Sequence, residues 1–174
     1  TRRNIKHGTK VFSLLEELAP MRRAIEHAAA GDWPNSELVD QVILDYDARH
    51  RRRYRIQTVV GEEILLNLRE AVAMGDGDGL QLDDGKWLYV KAGDENLLEV
   101  TAQNSDHLAR VAWHLGNRHL PAAISMNRIL IRPDHVIETM LTKLHARVQP
   151  VVEPFQPEFG AYHEHKGAHP STKL

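Results

Sequence analysis

Between residues 95 and 153 the hydrophobic period of the chain runs in the order strand, helix, strand, strand, helix, strand, and few folds accommodate that order. NLLEVTA reads as a strand, and Ser105 stands where a helix cap belongs. Leu108, Val111, Ala112 and Leu115 then recur at i, i+3, i+4, i+7, with Gly116 in the place of a left-handed helix stop. AAISMNRILIRP supplies two short strands turning near Met126-Asn127. Asp134 caps a second helix carrying Val136, Ile137, Met140, Leu141, Leu144 and Val148 on one face, and QPVVEPF closes the series as an extended segment. A β-α-β-β-α-β series is the ferredoxin-like pattern, so residues 94–153 are expected to form one such domain.

The rest of the chain has a different texture. VDQVILDY, RYRIQTVV, EILLNL, GLQL and KWLYVKA are short β-rich runs separated by turn signals such as Gly75-Asp76-Gly77-Asp78-Gly79 and Asp83-Asp84-Gly85. Residues 38–93 are therefore expected to form a small β-rich amino-terminal domain, a sandwich or barrel, and the whole chain to be α+β. Residues 1–37 read as a helical extension of unknown role. Val11, Leu14, Leu15 and Leu18 form a helical stripe, and MRRAIEHAAA resumes helical composition after Pro20. Residues 154–174 read as a flexible tail containing histidines, with little to bury.

The absence of cysteine removes disulfides, thiolate metal sites and iron–sulfur clusters together. What stands out is 11 histidines against 3 Trp, 3 Phe and 4 Tyr. Neutral imidazole is the commonest protein metal ligand, so histidine without cysteine directs attention to Zn, Ni or Cu. His114 and His119, five residues apart, would stand about 140° apart on one helix and cannot chelate one ion from it. With a helix stop between them, His119 falls in the loop before Pro121. A metal needs three or more ligands. A two-fold homodimer brings His119 from both chains to the axis, His135 adds a further donor, and His163, His165 and His169 of the tail complete an exchangeable shell. His114 reads as packing at a helix edge, and His107 and His145 as solvated helix residues. Because imidazole takes up protons near neutrality, binding is expected to weaken as pH falls below about 6.5.

HLGNRHLP at 114–121, RPDHVIETML at 132–141 and FQPEFGAYHEH at 155–165 resemble UreE, the nickel metallochaperone family among the urease accessory proteins. LDYDARHRRRYR at 44–55 and the EILLNL strand are similar to the family's amino-terminal domain. The resemblance covers about 38–165 and implies a β-rich domain followed by a ferredoxin-like domain through which the family dimerises. It implies Ni²⁺ as the cargo, with Zn²⁺ or Cu²⁺ also able to bind. It further implies His119 of two subunits as the key ligand, His135 as a peripheral position and the tail histidines as helpers. The partners it implies are the accessory GTPase and the urease apoprotein complex, in the cytoplasm. The sequence departs from the family at Pro133, where some members carry a second histidine, and in a tail with only three spaced histidines. Residues 1–37 match no part of the family pattern.

Arg49-His50-Arg51-Arg52-Arg53-Tyr54-Arg55 invites a second reading, an RNA-binding ferredoxin-like module. Such sheets stack bases on aromatics, and this segment offers only Trp113 and Phe155, so no nucleic-acid partner is expected. Under the metallochaperone reading Arg51, Arg52 and Arg53 form the face that docks a partner protein. No HExxH, GxSxG or Walker-type motif is present, so no enzyme is expected. No run approaches the length of a membrane span, and the start lacks the apolar core of a signal peptide.

Overall fold

The computed structural model describes residues 21–158, which build two sheets. The first has six strands: β1 (Arg23–Ala28), β2 (Leu38–Leu44), β3 (Arg53–Gln57), β4 (Glu63–Asn67), β5 (Gly79–Leu82) and β6 (Trp87–Ala92), in the order β2-β6-β5-β1-β4-β3. Its two edges approach each other through the Val42–Thr58 bridge and a Val59 N–H to Gln41 carbonyl bond of 2.9 Å, so the sheet is nearly closed. Closure hides strand edges that would otherwise pair with other chains. Ala24, Val42, Ile56, Ile64, Leu66, Leu80, Leu88 and Val90 fill the interior.

The helical reading of MRRAIEHAAA is corrected here, and with it the boundary at residue 38. β1 is a central strand, parallel to β4 and antiparallel to β5, and Ala24 is fully buried between them. Ala, Arg and Glu favour helix only by tenths of a kcal/mol each, roughly, and a fully hydrogen-bonded place inside a sheet overrides that preference. Residues 23–37 thus belong to the first unit. The Val11–Leu18 stripe lies outside the described residues.

The glycine-aspartate run is a turn, as its composition suggests, but it is also a fastening. Asp78 is buried, and its carboxylate accepts from the Ala30 and Gly75 amides at 2.9 and 2.7 Å and lies 2.7 Å from His27 Nε2. Asp76 accepts from the Ala92 amide at 2.8 Å. Gly79 carries the face of Trp33, whose indole N–H donates to the Gly77 carbonyl at 3.1 Å and whose ring stacks on Trp87 with centroids 5.8 Å apart. A β-carbon at Gly79 would meet the Trp33 ring at 2.6 Å. Since that ring is held on both sides, Gly79→Ala is expected to destabilise by about 1–3 kcal/mol. Urea unfolding measures it, and a neutral result would mean that Trp33 swings away freely.

The second sheet has strands β7 (Asp94–Thr101), β8 (Ala122–Ile124), β9 (Ile129–Ile131) and β10 (Arg147–Pro154) in the order β10-β7-β9-β8, all antiparallel. Helices α1 (Ser105–Gly116) and α2 (His135–Lys143) cover one face, giving the ferredoxin-like arrangement. Leu98, Val100, Leu108, Val111, Leu115, Ile129, Ile131, Ile137 and Leu141 form this core. Two local readings shift. The α1 cap is Asn104, one residue before Ser105, and its side chain accepts from the His107 amide. Val148 lies on β10, because α2 ends at Lys143 and the chain reverses through His145 at φ +59°. Asp134 caps α2 as its position implies, accepting from Val136 and Ile137 N–H.

Only Gly93 separates β6 from β7, and its amide donates to Leu44 O at 2.9 Å. The joint between the sheets is further packed by Leu97, Leu130 and Phe155 under Tyr46, with the Tyr46 and Phe155 rings edge to face at 5.3 Å. Tyr46 N–H donates to Glu95 at 2.7 Å, and Arg132 pairs with Asp47 at 3.0 Å. Arg49 is buried there as well, 3% exposed; its Nη1 donates to the Met74 carbonyl at 3.0 Å and its Nη2 donates to the Phe155 carbonyl. Burial lowers its guanidinium from the ordinary arginine value, against the pull of the carboxylates of Glu95 and Asp76.

Candidate metal centre

Strand register decides which histidines share an end of the second sheet. Ala122 at the start of β8 pairs with Ile131 at the end of β9, and Pro154 at the end of β10 pairs with Asp94 at the start of β7. The loop carrying His119 enters β8 at this end, α2 begins here with His135, and β10 delivers the tail here. Since α1 leaves the far end of β7 and runs back, its last turn with His114 also arrives here. His107 and His145 lie at the opposite end, beside the start of α1 and the close of α2.

His119 is held in an unusual backbone conformation. α1 does not stop in a left-handed Gly116. It includes Gly116, continues through Asn117 and closes with Arg118 N–H on Leu115 O and His119 N–H on Gly116 O, both at 3.0 Å. The left-handed residue is His119 itself, at φ +54°, and Gly116 is not among the positive-φ glycines. A non-glycine residue there costs about 1–2 kcal/mol, although histidine is among the types that tolerate it better. The side chain is exposed on a loop whose backbone is fixed at both ends, by α1 and by β8.

The other predicted donors are placed as follows. His135 is exposed at the first position of α2, where its carbonyl accepts from Thr139 Oγ1 at 2.8 Å. His114 is half-buried with its ring 5.0 Å from that of Trp113. His107 is not a solvated side chain: Nε2 bonds the Leu144 carbonyl at 2.8 Å and Nδ1 accepts from Gln103 N–H at 3.3 Å, tying α1 to the end of α2. With both ring nitrogens engaged it has no lone pair to offer a metal. His145 is exposed. His163, His165 and His169 lie outside the described residues. Among the described residues, no three His, Asp or Glu side chains come together to hold a metal, so His119 and His135 share an end without forming a closed site in one chain.

The root of the tail is the feature that sequence reasoning missed. Phe155 is fully buried, Gln156 Oε1 accepts from the Asp76 amide at 3.2 Å, and Glu158 N–H donates to Ala122 O at 2.9 Å. The chain beyond Glu158 therefore sets out beside a residue only three positions from His119. No spacing rule marks these contacts, because each joins segments far apart in sequence.

On the basic run, Arg51, Arg52 and Arg53 are exposed while Arg49 is not. Arg51 lies over the Tyr54 ring at 5.9 Å, and Arg52 donates to the Arg69 carbonyl at 3.2 Å. The sheet face that ferredoxin-like RNA binders use is capped here by Tyr46 and carries Arg128 between Glu99 and Glu153, each at 2.8 Å. Glu153 and Glu99 raise the Arg128 value, and Arg128 in return lowers that of Glu153. An acidic, covered face does not suit RNA. No helix among the described residues is long and apolar enough to cross a membrane.

Comparison with known proteins agrees with this architecture. The family model for the amino-terminal domain of the UreE urease accessory protein matches residues 15–93, and that for its carboxyl-terminal domain matches residues 95–173. The first match takes in residues 15–37, which sequence reading had left outside the family, and the seam between the two falls at residue 94. A urease accessory protein UreE of Beijerinckia indica is 44% identical over 82% of this chain and 82% of its own. Those of Rhizobium rhizogenes and a Bradyrhizobium species are 46% and 51% identical, over 84% and 75% of this chain and 87% and 62% of theirs. Two domain matches in the order of the two sheets, with relatives this similar, leave one assignment: the chain belongs to the UreE family of urease accessory proteins, and is an accessory protein rather than an enzyme.

Proposed function

We propose that this protein is a nickel metallochaperone that delivers Ni²⁺ for assembly of the urease active site and holds the ion through His119 of two subunits. The observation that carries the reading is His119 in the left-handed conformation, exposed, at the end of the sheet where α2 and the tail also start. A residue kept in a costly backbone state on a loop anchored at both ends has a fixed direction, which a bridging ligand requires. One imidazole per chain is too few for a transition metal, so a second chain supplies its copy on a two-fold axis. His135 is a weak peripheral donor, since Pro133 replaces a possible neighbour. His163, His165 and His169 are the exchangeable remainder of the shell. Zn²⁺ and Cu²⁺ compete, because imidazole accepts all three.

Trp113 supports the dimer. It is 65% exposed on the last turns of α1, next to the exposed Ala109 and Gly116 one turn away on the same helix face, and a large exposed aromatic beside small residues suits close helix approach. Calorimetric titration with Ni²⁺, with mass measured alongside, is expected to give one tight ion per two chains. Trp113→Glu is expected to shift the mass toward a single chain and to lose that ion together with the dimer. A tight site of one ion per monomer would refute the shared arrangement.

The urease accessory GTPase and the urease apoprotein complex are the proposed partners, in the cytoplasm, and the exposed Arg51, Arg52 and Arg53 are the proposed docking face. Replacing all three by Ala is expected to lower urease activation several-fold while leaving the Ni²⁺ titration unchanged, because these side chains stand on the first unit. Full activation by the triple variant would remove the docking role.

A further inference from the structure

We propose that the cleft between α1 and the close of α2 binds a small multivalent anion, one carrying two or more carboxylate or phosphate groups. The site lies on the second unit, shares no residue with the histidines assigned to nickel, and does not rest on the metallochaperone reading.

The cleft has a volume of about 490 Å³, within the range of small-molecule sites. His107, Arg110 and His114 recur at i, i+3, i+7 and so stand on one flank of α1, which forms one wall. Lys143 and His145, at the last residue of α2 and in the turn that follows, belong to the other. The His107 ring spans the two walls: Nδ1 accepts from Gln103 N–H at 3.3 Å, and Nε2 donates to the Leu144 carbonyl at 2.8 Å. That clamp sets the separation of the walls before any ligand arrives, which lowers the ordering cost of binding.

Charge decides what the cleft accepts. Arg110, Lys143, His114 and His145 line it against Asp106 as the one carboxylate. Arg22, Arg23, Arg128 and Arg132 each meet a carboxylate within 3.1 Å, whereas among the described residues Arg110 and Lys143 have no ion pair. Asp106 stands one turn before Arg110, the spacing at which helical pairs form, and even so leaves it unpaired. A helix carboxyl terminus favours cations, which accounts in part for Lys143 but not for Arg110, in the middle of α1. His145 adds a second sign. It holds φ +59°, the left-handed state that glycine ordinarily supplies after a helix, and keeps an imidazole there that lines the cleft. Unopposed cations around a concave wall reinforce one another's potential and draw in counter-charge. Two anionic groups on one molecule engage both walls together, and the second contact forms at high effective concentration.

Isothermal titration of the metal-free full chain at low ionic strength tests this, with pyrophosphate and tricarballylate as the phosphate and carboxylate probes and inorganic phosphate as the single-group comparison. One of the two multivalent probes is expected to bind more tightly than inorganic phosphate, and which one does so identifies the source of the anionic groups. Arg110→Gln and Lys143→Gln, both at exposed positions, are each expected to weaken that binding about three- to tenfold, while Lys91→Gln on the first unit leaves it unchanged. Amide resonances of Gln103–His114 and Lys143–His145 are expected to shift on binding. No uptake of either multivalent probe at millimolar concentration overturns the proposal. Equal weakening by all three substitutions marks unspecific attraction and overturns it, as do shifts centred on Arg51, Arg52 and Arg53. Tighter binding of a glutamate hexapeptide than of either small anion makes the cleft a protein-docking groove and overturns it in that direction.

Discussion

Replacing His119 by alanine is expected to remove the tight nickel site altogether, with affinity for the ion shared by two chains falling by more than about 100-fold. Loss of an outer partner of a metal ligand already costs 10–100-fold, and this change deletes one direct ligand from each of two chains at once. The backbone gives the experiment an internal control. At φ +54° alanine is no more comfortable than histidine, whereas glycine is free of strain there. His119→Gly is therefore expected to lose the nickel as fully as alanine does while its unfolding free energy stays within about 1 kcal/mol of wild type, since relief of strain and added freedom of the unfolded chain nearly offset. Isothermal titration gives the first quantity and urea unfolding of the metal-free protein the second. A tight site persisting at one ion per two chains in either variant would mean that His119 is not the bridging ligand.

The second large effect concerns folding rather than metal. Phe155 is fully buried and packs with Leu97, Leu130, Tyr46, Ala123 and Val151 at the joint between the sheets. Phe155→Ala is expected to destabilise by about 3–5 kcal/mol, because the lost burial is compounded by a cavity that residues from two units cannot close together. For a chain of this size that is a fall in Tm of roughly 6–20 °C. The carbonyl that Arg49 holds belongs to the main chain and survives the substitution, so the loss measures packing alone. A loss of less than about 1 kcal/mol would show that Tyr46 collapses into the gap and that the joint is soft.

The ferredoxin-like half was legible because its signals are local. Helical periodicity in 108–115 and 136–141, the Asp134 cap and the turn at Met126-Asn127 each act over a few residues, and nothing distant contradicts them. β1 was not legible for the opposite reason. Its own residues favour helix, and only its partners far along the chain, Leu65 and Leu66 on β4 and Gly79 to Leu82 on β5, make it a strand. Arg49 shows the same limit. In a run of basic residues every arginine reads as solvent-facing, and only the carbonyls of Met74 and Phe155 distinguish this one. For the site, the role proposed for His119 rests on residue type and on likeness to a family. Its left-handed backbone was missed because Gly116, nearby, looked the better candidate for that conformation.

The single glycine between β6 and β7 has a further consequence for the proposed pair of chains. With one residue as a seam, and Arg132–Asp47, Tyr46–Glu95 and the Arg49 bonds across it, the first unit is carried by the second as a fixed arm. In the proposed dimer the two sets of Arg51, Arg52 and Arg53 then stand at one set separation, like the points of a caliper. A two-fold partner whose acidic sites match that span gains the second contact at high effective concentration, and one whose sites are misplaced gains none of it. Spacing, as well as charge, would then select the partner.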